Sequence, residues 1–138
     1  MSEDYIGQLT DRQKGFLPDH LGLEWVEARP GFVKGRFEVK THHLAPNTFL
    51  HAASVIALAD SACGYGCIIS RPEGAQNFTT IELKSNFLGT TRAGGVSVEA
   101  RLVHGGRTTQ VWDAVVTADT TGKTIALFRC TQMILYPK

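Results

Sequence analysis

Residues 52–68 constrain this chain more than any other stretch. Ala52, Ala53, Val55, Ile56, Ala57, Leu58, Ala59, Ala62, Cys63, Cys67 and Ile68 leave almost no polar face at helical spacing. A helix that is apolar nearly all round belongs inside a protein, not on its surface. Small residues dominate it, with Ser54, Ser61, Gly64 and Gly66 among the alanines, so neighbouring backbone can come close. Arg71-Pro72-Glu73-Gly74 ends it. Ser54, Asp60 and Ser61 break the apolar run, which reads as too short to span a bilayer. Something must therefore cover this helix.

The rest of the chain offers strands. Leu21, Leu23 and Trp25 alternate with polar or small neighbours, and Arg29-Pro30-Gly31 signals a turn. Val33, Gly35, Phe37 and Val39 alternate again, giving a hairpin with one wet face. Residues 41–50 hold two histidines, a proline and an asparagine, and read as a loop. After the helix come four more strands, over 78–87, 96–103, 109–118 and 124–135, the last two joined by Asp119-Thr120-Thr121-Gly122-Lys123. The first twenty residues are polar and suggest a short helix ending near Gly15 or Pro18, with Ile6, Leu9, Phe16 and Leu17 as core contacts. One helix against about six strands is an α+β layout. A curved antiparallel sheet wrapped around one long central helix is the hotdog fold. All 138 residues form one domain, with 1–20 as an N-terminal helical or irregular segment.

Charge and cysteine content exclude several functions. Lys+Arg 14 against Asp+Glu 13 leaves a net charge of +1, which gives no bulk attraction to nucleic acid or an anionic membrane. Three cysteines make no disulfide framework, and the N-terminus Met1-Ser2-Glu3-Asp4-Tyr5 carries no basic, apolar targeting signal. A cytoplasmic protein is expected.

Asp60 is the residue out of place, because an unpaired carboxylate inside a buried helix is costly. His51 stands where that helix begins, nine positions earlier. The first-turn N–H groups there, Ala52 and Ala53 included, have no intrahelical acceptors and lie at the positive end of the helix dipole. Such groups can polarise a carbonyl oxygen. Nine residues rise about 13–14 Å, too far for His51 and Asp60 to share a substrate within one helix. If both act on one substrate, Asp60 of one chain must face the His51 end of another, in a dimer.

Three segments carry a family resemblance. Asn47-Thr48-Phe49-Leu50-His51-Ala52-Ala53 followed by Leu58-Ala59-Asp60-Ser61-Ala62 resembles the PaaI-like, phenylacetate-degradation type acyl-CoA thioesterases. The segment from Phe78 to Leu88 is similar to that family's strand after the helix. Val103-His104-Gly105-Gly106-Arg107-Thr108-Thr109 is similar to its turn near the CoA phosphates. Two departures fall at the active end: the family's His-Gly-Gly is His51-Ala52-Ala53 here, and Asn47 lies four before the histidine where these enzymes commonly place it six before. Alanine keeps the N–H but narrows the approach.

The resemblance implies hydrolysis of an acyl- or aryl-CoA thioester to free acid and CoA, with CoA as part of the substrate and no separate cofactor. It implies that Ala52 N–H polarises the carbonyl and that Asp60 from the facing subunit serves as general base or as nucleophile. Asn47 would position the carbonyl or the water. Thr80, on the strand beside the partner's helix, would hold the water, and His51 would shape the loop. The CoA phosphates would meet Arg107 with Gly106 and Thr108, and behind them Lys84 and Arg92, two residues that read more simply as solvated strand-edge charges. A homodimer extending to a homotetramer is implied. Alternatives are a hotdog enoyl or hydroxyacyl thioester hydratase and a non-catalytic acyl-CoA-binding module. Cys63 and Cys67 read as core residues, His42-His43 as a loop pair, and no metal site is expected.

Overall fold

The computed structural model describes residues 4–138, so the first three positions of the N-terminal segment lie outside it. Helix α1 (Tyr5–Arg12) starts at Asp4, whose side chain accepts the Gly7 N–H at 2.9 Å. It turns Leu9 into the core and ends before Gly15, which adopts φ +82°. That reversal carries Phe16 and Leu17 away from the core contacts expected of them, and they remain 68% and 63% exposed. A single-turn helix, α2 (Leu17–His20), follows with proline in its first turn.

Strands β1 (Glu24–Arg29) and β2 (Phe32–Glu38) form the first hairpin. β1 starts later than the alternation suggested, because Leu23 N–H bonds back to Pro18 and not across a ladder. After α3 (Ala52–Ile69) come β3 (Asn77–Phe87), β4 (Gly95–Gly105), β5 (Thr109–Ala118) and β6 (Thr124–Leu135). All six strands join one antiparallel sheet in the order β1-β2-β4-β5-β6-β3. This is the hotdog architecture the sequence predicts. β3 follows α3 directly but lies at the sheet edge opposite β1, so the helix spans the concave face between them.

One side of α3 packs into that face through Val55, Leu58, Ala59, Ala62, Cys63 and Cys67. Gly66 lets the Trp112 ring lie against the helix backbone, where a Cβ would clash with the ring. By length and composition alone α3 could cross a membrane, contrary to the sequence reading; half of it is buried in this core instead. The expectation of burial all round also needs correcting. Ala53, Ala57, Asp60, Ser61, Tyr65 and Ile68 form a stripe at helical spacing that the sheet does not bury, because one sheet covers only one side of a helix.

Candidate functional site

Two cavities open along that stripe. The first, about 270 Å³, lies at the start of α3 and is lined by His51, Ala53, Ser54 and Ala57 with Leu17, Leu21, His42 and Leu44. His51 is the N-cap, and its Nδ1 accepts the Ala53 N–H at 2.9 Å. The acceptor role of Nδ1 puts the proton of neutral His51 on Nε2. Ser54 and Val55 N–H donate to the His51 carbonyl. The Ala52 N–H has no acceptor among the described residues. Of the two candidate donors, Ala53 is thus capped and Ala52 is open, at the positive end of an eighteen-residue helix.

His43 holds this end in place. The sequence suggested a loop pair of histidines, but His43 is fully buried against Phe37, with ring centroids 4.2 Å apart. Its Nδ1 accepts the Lys40 N–H and its Nε2 donates to the Leu21 carbonyl. Burial pushes its pKa below the ordinary histidine value, so the ring is neutral. Its carbonyl accepts both the His51 N–H and the Ser54 hydroxyl. Among the described residues no group of three or more His, Cys, Asp or Glu side chains is placed to hold a metal ion.

Asn47 sits at the tip of the loop closed by the Leu44–Leu50 bridge, beside Thr48 at φ +70°. Its Oδ1 accepts the Phe49 N–H at 3.2 Å, an Asx turn that tightens the loop. Asn47 lines neither cavity within one chain.

The second cavity, about 280 Å³, opens midway along α3 and contains Asp60, Ser61, Gly64, Tyr65 and Ile68 with Phe78 and Thr80 of β3 and Arg12 of α1. Asp60 Oδ1 is buried with no hydrogen-bond partner. Burial raises the Asp60 pKa above the ordinary aspartate value, and no neighbouring charge contributes. Such a carboxylate is basic for its type and ready to take a proton.

Thr80 shares this cavity with Asp60 of its own chain. Its hydroxyl donates to Gln132 Oε1 at 2.7 Å, and the Gln132 amide donates to Cys130 Sγ at 3.5 Å. Gln132 is fully buried, so the orientation is fixed from the core. With its hydrogen committed inward, the Thr80 oxygen keeps its lone pairs free to accept from a water entering the cavity. A water giving one hydrogen to Thr80 and the other to Asp60 has an oxygen lone pair left for attack. The β3–β6 ladder slips between Thr80 and Glu82, which sets Phe78 and Thr80 toward the helix at this point. Sequence reading missed Gln132, whose signal was a lone amide at a core position of an apolar strand.

The buried thiols are not rivals to Asp60. A hydrogen bond with Cys130, followed by burial, raises the Cys63 pKa, and burial pushes the Cys67 thiol up to about 12. Neither is a thiolate at neutral pH.

The candidate phosphate residues lie in three separate places. Gly106 and Arg107 line a cavity of about 390 Å³ with Gly105, Gln110, Ser70 and Pro72, beside the C-terminus of α3. Arg107 stacks on Tyr136 at 5.3 Å, its carbonyl accepts the Tyr136 hydroxyl, and the Thr108 carbonyl accepts the Ile134 N–H. Lys84 lies instead on the outer sheet face, in a groove with Asn86, Asp113 and Arg129. Arg92 stacks over Phe49 at 4.5 Å.

A family model described as thioesterase superfamily matches residues 47–125, from Asn47 past Asp60 and Thr80 to Ile125. A 1,4-dihydroxy-2-naphthoyl-CoA hydrolase of Listeria monocytogenes is 31% identical over 115 residues, covering 83% of this chain and 92% of that protein. A crystal structure of a mutant of thioesterase PA1618 from Pseudomonas aeruginosa superposes with a TM-score of 0.90 at 27% identity, covering 98% and 96% of the two chains. The Escherichia coli PaaI protein shares the fold, with a TM-score of 0.82 at 22% identity over 95% of this chain and 94% of that one.

Proposed function

The chain belongs to the thioesterase superfamily and is a thioester hydrolase; we propose that its substrate is an acyl-CoA, above all an aryl-CoA, which it splits to free acid and CoA. The observation that carries the reading is the pairing of an unpartnered, desolvated carboxylate with an open helix N-terminus on one helix. The CoA moiety is supported by the Listeria hydrolase, which matches along 83% of this chain. The aryl preference is supported by the Phe78 and Tyr65 rings beside Asp60.

Ala52 N–H donates to the thioester carbonyl oxygen and stabilises the oxyanion that forms on it. The water oxygen attacks the carbonyl carbon as Asp60 takes its proton. The C–S bond then breaks, and the CoA sulfur leaves with the proton that Asp60 returns. Ala52 and Asp60 are eight residues apart, about 12 Å along α3, so one chain cannot offer both to one carbonyl.

A dimer resolves this. β3 is an edge strand of eleven residues. Leu83 and Phe87 face the same side as buried Cys130 and Ala126, yet they are 41% and 45% exposed. An apolar, unpaired edge of this length invites a second copy. Two-fold pairing of β3 edges sets the two α3 helices side by side and antiparallel, with Asp60 of one facing Ala52 of the other. Exposed Val115, Leu127 and Met133 on the sheet support a further pairing of dimers into a tetramer. Arg107 is the proposed phosphate contact. The three buried free thiols suit a reducing, cytoplasmic setting.

The test is release of free CoA thiol from a panel of short, medium and aromatic acyl-CoAs. Thiol release from the aromatic members is expected. A shift in double-bond absorbance without thiol release would identify a hydratase, and binding without turnover a carrier module; either would overturn the proposal.

A further inference from the structure

Arg12 stands at the far end of the Asp60 cavity and the thioester chemistry does not use it. Its helix is anchored beside it by Gln13, which is buried and makes three hydrogen bonds. Gln13 Nε2 donates to the Leu23 carbonyl at 2.8 Å, and Oε1 accepts from Trp25 Nε1 at 2.9 Å and from the Tyr65 hydroxyl at 3.2 Å. The end of α1 is therefore fixed against β1 and α3, which sets where Arg12 can reach. The guanidinium acts on the Tyr65 hydroxyl and not on Asp60: it opposes the rise that burial causes at Tyr65, while Asp60 responds to burial alone. Tyr65 lies five residues beyond Asp60, about 7.5 Å along the helix, which separates the positive end of the cavity from the carboxylate.

Phe78, Ile68 and Pro18 give the cavity an apolar side between the two charges. The tip of the Phe78 ring meets Gly64, where an added Cβ would lie 3.0 Å from it. Arg12 makes no ion pair with any described residue. A position in the last turn of a helix suits any cation, but this one also borders a cavity whose other end is an acid.

We propose that Arg12 is a specificity-determining residue that selects acyl groups carrying a carboxylate at the end remote from the thioester. This rests on the thioesterase reading above and names its substrate class. The carboxylate takes a forked pair of hydrogen bonds from the guanidinium. The Tyr65 hydroxyl can turn from Gln13 to donate a third bond, because Trp25 already satisfies Gln13 Oε1. Asp60 repels the same carboxylate from the reacting end, so the acyl group enters in one orientation.

The test compares kcat/KM for 4-carboxybenzoyl-CoA, 4-hydroxybenzoyl-CoA and benzoyl-CoA in the wild type, Arg12→Ala and Arg12→Glu. The wild type should favour the carboxylated substrate over benzoyl-CoA by about tenfold or more. Arg12→Ala should abolish that ratio and Arg12→Glu should invert it. No wild-type preference, a preference for the hydroxylated substrate alone, or an equal loss on all three in Arg12→Ala overturns the proposal. Binding of the matching non-hydrolysable thioethers, measured by calorimetry, reads the same preference without turnover. A chain that binds but hydrolyses none of the three defeats the thioesterase reading, while Arg12 still stands or falls by whether Arg12→Ala removes the carboxylate preference in binding.

Discussion

Asp60→Asn should inactivate the protein and stabilise it at the same time. Asparagine has the same shape as aspartate but cannot take a proton from water. Loss of a general base lowers turnover by about 10²–10⁴-fold, or roughly 3–5.5 kcal/mol of barrier. Because the interaction exists only in the transition state, kcat and kcat/KM should fall together with KM little changed. The stability effect follows from burial. Asp60 Oδ1 has no partner, and its pKa is raised by desolvation alone. A carboxyl whose folded pKa lies above its unfolded value weakens the fold once it is ionised. That deficit is absent below the unfolded pKa of about 3.9 and complete above the folded one. Removing the charge should therefore add about 1 kcal/mol at pH 7, the low end for an unsatisfied buried polar group, or about 3–5 °C in Tm. The gain should vanish in acid. Thermal unfolding at pH 7 and at pH 3.5, with size-exclusion chromatography to establish that assembly is unchanged, reads this directly, and thiol release reads the activity. Turnover within tenfold of wild type would refute the role of Asp60. A lower Tm at neutral pH would refute the claim that the carboxylate is held without a partner.

The same raised pKa should move the acid limb of the kcat/KM–pH profile above the ordinary aspartate range, with activity lost as pH falls; a limb at or below that range would contradict a desolvated base. Thr80→Val and Gln132→Leu should each lower kcat by about tenfold, and the double variant should be no worse than Thr80→Val, because Gln132 acts through the Thr80 hydroxyl; additive losses would mean independent roles. Arg107→Ala should raise KM for acyl-CoA severalfold and flatten the rise of KM with added salt, as measured by initial rates at two ionic strengths. Gly66→Ala should destabilise the fold by about 1–3 kcal/mol in chemical unfolding, since its Cβ would displace the buried Trp112 ring.

Much of this fold was legible in one dimension because its signals are local. The period-two runs over 109–118 and 124–135 match the observed strands, since cross-strand burial repeats every second residue. The core helix and its odd carboxylate were visible because a charge amid Val55-Ile56-Ala57-Leu58-Ala59 has few structural reasons to be there. If His51 and Asp60 act on one substrate, their spacing alone requires a second chain, because helical rise is fixed.

What the sequence did not determine depends on contacts between distant residues. Nothing local says that β3 crosses to the far sheet edge, so the open stripe on α3 and the exposed Leu83 and Phe87 could not be foreseen. Thr80 and Gln132 lie 52 residues apart and meet only through the β3–β6 register, which is what fixes the hydroxyl beside Asp60. Arg12 joins that cavity because buried Gln13 pins α1 to Leu23, Trp25 and Tyr65. Periodicity and charge specify which residues are buried and which chemistry is present. Strand order and buried polar contacts decide which of those residues share a cavity, because only the folded chain brings such distant positions together.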